Sequence, residues 1–387
     1  MDFMLSKEHL AFQKEMREFV EKEVAPGASK RDESEDFEAT YQLMIQKMAP
    51  RGYLGCSFPK EYGGMGGDQF HYAILMIEIC KVDASLGCSA SVGLSLGTIP
   101  IFKFGTEEQK QKYLRPLLEG KKLSAFGLTE PNAGSDSAMQ ETTAVRDGNS
   151  YILNGKKVFI TNAGYADTYI VMAMMDKSLG TKGISAFIVE KDTPGFTFGK
   201  QEVKMGIRAS IQRELIFEDC RIPKENLIAE EGMGFKIAMT ALDVGRIGVA
   251  AQGVGVAQGA LDAALRYSTE RCQFGKPINA YQGISFMLAD MAIRAEAARL
   301  LAYQVAWLGS NGMPFGKEAS IAKVFCTDAA MEVSTNAVQV LGGKGFLREN
   351  EVERMMRDSK ILQIYEGTNQ IQRMIINNNL VRGLAHA

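Results

Sequence analysis

Apolar residues recur at three- and four-residue spacing through the first third of the chain. In residues 6–20, "SKEHLAFQKEMREFV", the pattern predicts a helix with Leu10, Phe12, Met16 and Phe19 on one face and charged residues opposite. Residues 68–87, "DQFHYAILMIEICKVDASLG", are apolar almost all round, which predicts a more buried helix. Residues 106–120, "TEEQKQKYLRPLLEG", open with Thr106 and place Gln109 three positions later, a capping-box pattern. Between these runs, "EYGGMGGD" is glycine-rich but lacks the Lys-Ser/Thr of a phosphate loop, so it reads as a structural turn.

From about residue 121 the period shortens. The runs "ETTAVRDG", "SYILNGKKVFITNA", "TYIVMAMM", "GISAFIVEK", "FTFGKQEVKM" and "RELIFEDCRIP" are short and β-rich, with turn residues between them. Asp147-Gly148 and Asn154-Gly155 are hairpin signals. Closely spaced strands without intervening helices predict an antiparallel barrel or sandwich. From about residue 231 three long helical runs follow, at 234–272, 284–308 and 316–343, joined by short connections, as in a helix bundle. The expected organisation is α+β multidomain: an N-terminal helical domain (1–120), a middle antiparallel β-domain (121–230) and a C-terminal four-helix-bundle domain (231–387). One decoy lies in the first long run. "GVGVAQG" (Gly253, Gly255, Gly259) resembles a nucleotide-binding glycine pattern, but its spacing is wrong and no strand precedes it. Close helix–helix approach explains those glycines better.

Composition narrows the chemistry. A chain of 387 residues with 46% hydrophobic and 23% charged residues has ample material for several core layers. A net charge of −2 with no basic cluster argues against nucleic acid as a partner. No run reaches the ~18 uninterrupted apolar residues of a membrane-spanning helix. The N-terminal run carries acids from its first turn, unlike a signal or transit peptide, so a bacterial cytoplasmic protein is expected, or a mitochondrial matrix one if a transit peptide was removed. The six cysteines form no C-x-x-C pair and read as buried thiols in a reducing compartment. Only three histidines are present, His9, His71 and His386, which leaves little for a Ser-His-Asp or His-rich metal site. Acid–base work then falls to carboxylates, Tyr or Lys. One carboxylate is oddly placed: in "ILQIYEGTNQIQRMII", Glu366 stands among apolar residues. A desolvated acid must be paired or used, while a solvated loop acid is the plain alternative.

Six strings then coincide. "FGLTEPNAGSD" (126–136), "FITNA" (159–163), "LDVGR" (242–246), "RCQFGKP" (271–277), "QVLGGKGF" (339–346) and "YEGTNQIQ" (365–372) occur in the order and spacing of the acyl-CoA dehydrogenases. The resemblance spans essentially the whole chain and is strongest to the short-chain, butyryl-CoA type. It implies FAD as cofactor, with Phe126, Leu128, Thr129, Gly134 and Ser135 lining the isoalloxazine. Phe159, Ile160 and Thr161 form its second contact. Arg271, Gln273 and Phe274, with Gln282, Gln339, Val340, Gly342 and Gly343, would reach the FAD of a neighbouring subunit in a homotetramer, a dimer of dimers. Thr368 and Gln370 are implied as further FAD contacts. Ser135, Asp243, Arg246 and Gly367 are implied at the CoA substrate, and Glu366 as the base that removes the α-proton. Some relatives carry that base on the long helix instead, at the position of Gly245 here. In "GGKGF", Lys344 and Phe346 stand where the family often has aromatics. Residues 83–101 should line the acyl pocket; they contain small residues such as Ser91, Gly93 and Ser95 and no Arg, which disfavours a dicarboxylyl substrate. The implied activity is dehydrogenation of a short- or medium-chain acyl-CoA to the trans-2-enoyl-CoA, with electrons passed to electron-transferring flavoprotein, or the reverse reduction. Alternatives are an acyl-CoA oxidase, desulfinase or cyclic acyl-CoA dehydrogenase on the same scaffold, or a non-catalytic scaffold protein.

Overall fold

The computed structural model describes residues 5–385, so His386 lies outside it. Helix Lys7–Phe19 is capped by Ser6, whose hydroxyl accepts from the His9 N–H at 3.2 Å. It buries Phe12, Met16 and Phe19, but Leu10 faces solvent. At about 100° per residue Leu10 lies some 200° from Phe12, so the buried face is narrower than predicted and leaves Leu10 out. Helix Gln69–Cys80 is buried on nearly every side. The predicted capping box forms: the Thr106 hydroxyl accepts from Gln109 N–H at 3.2 Å, and the Gln109 side chain accepts from Thr106 N–H at 3.1 Å.

The segment Ala84–Phe104 corrects one expectation. It is long and apolar enough to cross a membrane, yet it is mostly buried inside the protein. It consists of helices Ala84–Leu94 and Ile99–Phe104 with a break between them, and it packs between strand β1 (Ser124–Gly127) and the long helix Gly234–Glu270.

Strands β2 (Thr143–Asp147), β3 (Ser150–Thr161), β4 (Thr168–Met174), β5 (Ile184–Glu190), β6 (Phe196–Gln201) and β7 (Gln212–Pro223) join β1 in one sheet. Its order is β1-β4-β2-β3-β7-β6, with β5 on β4. Most pairs are antiparallel as expected; β1 lies parallel to β4, and β2 meets β4 in parallel at one residue pair. The hairpin β2–β3 intervenes between β1 and β4, a connection long enough for a parallel crossover. Asp147-Gly148 does turn that hairpin, with Asp147 opposite Ser150. Asn154-Gly155 does not turn a hairpin but lies inside β3. Gly155 has φ +143° at an irregularity in the register with β7, and a Cβ there would come within 2.6 Å of Thr142. The glycine serves a bulge and a close approach.

Helices Gly234–Glu270, Gln282–Ser310 and Gly316–Leu341 form the bundle with Glu351–Leu362 and Asn369–Ala385. A Cβ at Gly253, Gly255 or Gly259 would sit 2.7, 2.5 or 2.2 Å from the carbonyl oxygens of Cys326, Ile77 and Lys81. These glycines permit helix contact, as expected. Five cysteines are buried, and Cys272 is exposed.

Candidate active site

A cavity of about 580 Å³ opens where the sheet, the long helix and the Glu366 loop meet. The sheet side contributes Phe126 from β1, Leu128 and Thr129 just after it, Gly134 and Ser135 from the following turn, and Phe159, Ile160 and Thr161 from the end of β3. The turn is held from beneath by Lys157, which β3 points into the protein with no exposed surface. Its ammonium donates to the Leu128 carbonyl at 3.1 Å, Glu130 Oε1 at 2.6 Å and Gln140 Oε1 at 2.9 Å. Glu130 also accepts from the backbone N–H groups of Glu141 and Thr142 at 2.6 and 3.0 Å. Burial pulls Lys157 down to about 8 against the attraction of Glu130. Burial opposes ionisation of Glu130 too, but Lys157 and the N–H donors outweigh it, so its carboxyl stays below the usual range. Removing one member of a buried pair strands the other charge. Lys157→Met is therefore expected to lower stability by about 3–5 kcal/mol, read as a fall in denaturant midpoint. An unchanged midpoint would show that Lys157 does not hold the turn.

Opposite the sheet stands Glu366, with φ +53° followed by Gly367 at φ +91°. Two successive left-handed residues turn the chain sharply and aim the carboxylate at the long helix, where a Cβ on Gly245 would lie 2.1 Å from Glu366 Oε2. The loop carbonyls are held: Glu366 O accepts from Gln372 Nε2 at 3.2 Å and Arg246 Nε at 3.5 Å, and Gly367 O accepts from Lys323 Nζ at 2.9 Å. Burial pushes Glu366 up to about 7, with Arg246 and Lys323 pulling the other way.

The cavity brings together Glu366, Gly367, Arg246 and all eight sheet-side residues named from the sequence. Asp243 is not on its wall. It binds Arg246 Nη1 at 2.6 Å and lines a separate cleft with Phe315 and Gly316. Burial raises Asp243 although Arg246 attracts its charged form. Of residues 83–101, Cys88, Ser91, Val92 and Leu96 reach the cavity, but Gly93 and Ser95 do not. Thr368 caps the last helix, its hydroxyl accepting from the Ile371 N–H at 3.2 Å, and Gln370 is exposed. Arg271, Gln273 and Phe274 occupy an exposed hairpin whose Phe274 is 95% exposed. Gln282 begins the next helix, and Gln339, Val340, Gly342 and Gly343 lie at the far end of Gly316–Leu341. None of these eight lines the cavity of their own chain.

Three residues of the wall carry a buried polar atom without a hydrogen-bond partner: Glu366 Oε2, Lys204 Nζ and Gln212 Oε1. Orphaned donors and acceptors facing one space are costly unless a bound molecule satisfies them. With apolar Val92, Leu96 and Leu242 beside them, they suit a polar ring system next to an acyl chain. The sequence reading passed over Lys157, Lys204, Gln212 and Lys323. Alternation in β3, through Tyr151, Leu153, Gly155 and Lys157, already pointed Lys157 inward.

Three family profiles cover the chain in order: "Acyl-CoA dehydrogenase, N-terminal domain" over residues 6–121, "middle domain" over 125–220 and "C-terminal domain" over 232–381. The short-chain specific acyl-CoA dehydrogenase of Clostridium acetobutylicum is 49% identical over 99% of this chain and 100% of its own length. The solved butyryl-CoA dehydrogenase of Megasphaera elsdenii is 50% identical, with a TM-score of 0.95 over 98% of this chain and 100% of that one. A structure from work on the electron-transferring flavoprotein of Acidaminococcus fermentans and flavin-based electron bifurcation is 53% identical, with a TM-score of 0.96 over 99% and 100% of the two chains.

Proposed function

The chain belongs to the acyl-CoA dehydrogenase family, and from that premise we propose how its own residues carry the reaction. It is an FAD-dependent enzyme that dehydrogenates a short-chain acyl-CoA to the trans-2-enoyl-CoA and works with electron-transferring flavoprotein. FAD, when bound, supplies the acceptor for the hydride released at the β-carbon. The sheet-side residues fit its ring: hydroxyls on Thr129, Ser135 and Thr161 and the orphaned atoms of Lys204 and Gln212 can meet its heteroatoms.

The observation that carries the catalytic reading is the buried, unpartnered Glu366 Oε2 in the wall of this cavity. Glu366 takes the α-proton, and the electron pair left by that C–H bond becomes the new double bond. Its backbone N–H is our donor for the thioester oxygen as negative charge gathers there. Arg246 lines the cavity and supports the Glu366 carbonyl, while Asp243 holds its guanidinium. The short acyl chain is supported by the short-chain specific and butyryl-CoA relatives. The test is anaerobic titration of the purified protein with acyl-CoAs of increasing length. Bleaching of the flavin band is expected to be fullest with short chains; a protein that carries FAD but bleaches with none of them overturns the reading.

The exposed hairpin and the end of Gly316–Leu341 lie away from the cavity, so we assign Arg271, Gln273, Phe274, Gln282, Gln339, Val340, Gly342 and Gly343 to the FAD of a neighbouring subunit within a homotetramer. A guanidinium suits phosphate oxygens bidentately. Arg271→Ala is expected to weaken FAD binding about ten- to hundredfold, the worth of a hydrogen bond to a charged group. Fluorescence titration of the apoprotein with FAD measures this, and an unchanged affinity would remove Arg271 from the cofactor site. Bacterial cytoplasm is the compartment we assign, in keeping with the clostridial relative.

A further inference from the structure

We propose that Lys323 is the positioning residue for Glu366: it staples the loop that carries the acid and adds a buried positive charge near the carboxylate, alongside that of Arg246. This rests on the reading of Glu366 as base. Lys323 lies on helix Gly316–Leu341, on the same stripe as Ala319, Ala322, Cys326 and Ala330, and has no exposed surface. A lysine there is unfavourable unless its charge is used. Its ammonium donates to the Gly367 carbonyl at 2.9 Å and to Asn369 Oδ1 at 2.8 Å. The Asn369 amide in turn donates to Thr327 Oγ1 at 3.0 Å and Asp328 Oδ1 at 2.8 Å. The turn through Glu366 and Gly367 is thus fastened to one helix just beyond the acid. That matters because a non-glycine residue at positive φ, as Glu366 is, costs about 1–3 kcal/mol and persists only when its surroundings hold it.

The charges around the acid come from two elements. Arg246 approaches from the long helix and is already paired with Asp243. Lys323 approaches from its own helix and, among the described residues, has no carboxylate within salt-bridge distance of its ammonium. Asp328 and Arg373 lie near Lys323 with opposing effects, and the neutral Tyr72, Tyr365 and Cys88 also face Glu366. Burial pulls Lys323 down to about 7 while Glu366 favours its charged form. Each group therefore supports the other's charge across the turn.

Lys323→Met removes both staple and charge, and Lys323→Gln keeps a hydrogen-bond donor without the charge. In both, the rate of flavin bleaching by acyl-CoA is expected to need higher pH. The ascending limb should move up by about one unit, giving roughly fivefold loss at pH 7, approaching tenfold below pH 6, that is mostly recovered at pH 9. FAD content and melting temperature report folding; if the Met variant does not fold, the Gln variant decides. A loss equal at all pH values, or a limb that does not move, overturns the inference. Loss of the base reading would look different: Glu366→Gln would itself still bleach.

Discussion

Replacing Glu366 with Gln is expected to give a yellow protein whose flavin no longer bleaches with acyl-CoA. The substitution keeps the shape of the side chain and removes only the atom that accepts the proton. A placed base contributes about 10²–10⁴-fold, so the bleaching rate should fall by at least that range. The wild-type pH profile carries the same argument. Burial holds Glu366 at about 7 rather than near the 4.5 of an ordinary glutamate. The carboxylate is the active form, so the rate should rise with pH and reach half its plateau near 7 in the ligand-free enzyme. It should be lost as pH falls below that, about two and a half units earlier than for a solvated acid. Stopped-flow bleaching across pH, with and without the substitution, tests both statements. A variant that bleaches at the wild-type rate would reassign the base.

The fold was legible wherever the period of apolar residues was clean. The three bundle helices, the strand runs and the Thr106 capping box appear as the pattern predicted, because each depends on neighbours close in sequence. Misreadings arose where distant packing overrules local chemistry. Asn154-Gly155 has the composition of a turn, yet Thr142 packs against it and the strand runs through. Lys157 and Lys323 drew no expectation from the sequence, although alternation in one case and helical spacing in the other set them on buried faces. A charge on a core stripe is the signal that could have found them, since such a position survives only with partners. Glu366 was visible for the same reason. Its position in the wall of a cavity was not, because that depends on Gly245, 121 residues earlier, leaving room for the carboxylate.

That dependence gives the second large effect. Gly245→Ala is expected to lower the bleaching rate about a hundredfold, the order of loss for a reacting group displaced by about 1 Å, without lowering stability. The added Cβ would lie 2.1 Å from Glu366 Oε2, 2.9 Å from its Cδ and 3.2 Å from Oε1. Every one of those atoms belongs to the mobile end of the base, so the fold yields easily and the acid moves. In a helix interior, Ala is favoured over Gly by about 0.5–1 kcal/mol, which offsets the small adjustment. Gly248→Ala, one turn on, makes the opposite case: its Cβ would meet Tyr72 Oη at 2.0 Å and Cζ at 2.5 Å. Tyr72 is fully buried, with its hydroxyl 2.7 Å from Ser91 Oγ, so a rigid ring must move and stability should fall. Melting temperature and bleaching rate measured on both variants separate the two outcomes. If Gly245→Ala bleaches at the wild-type rate, the carboxylate does not work from the place the fold gives it.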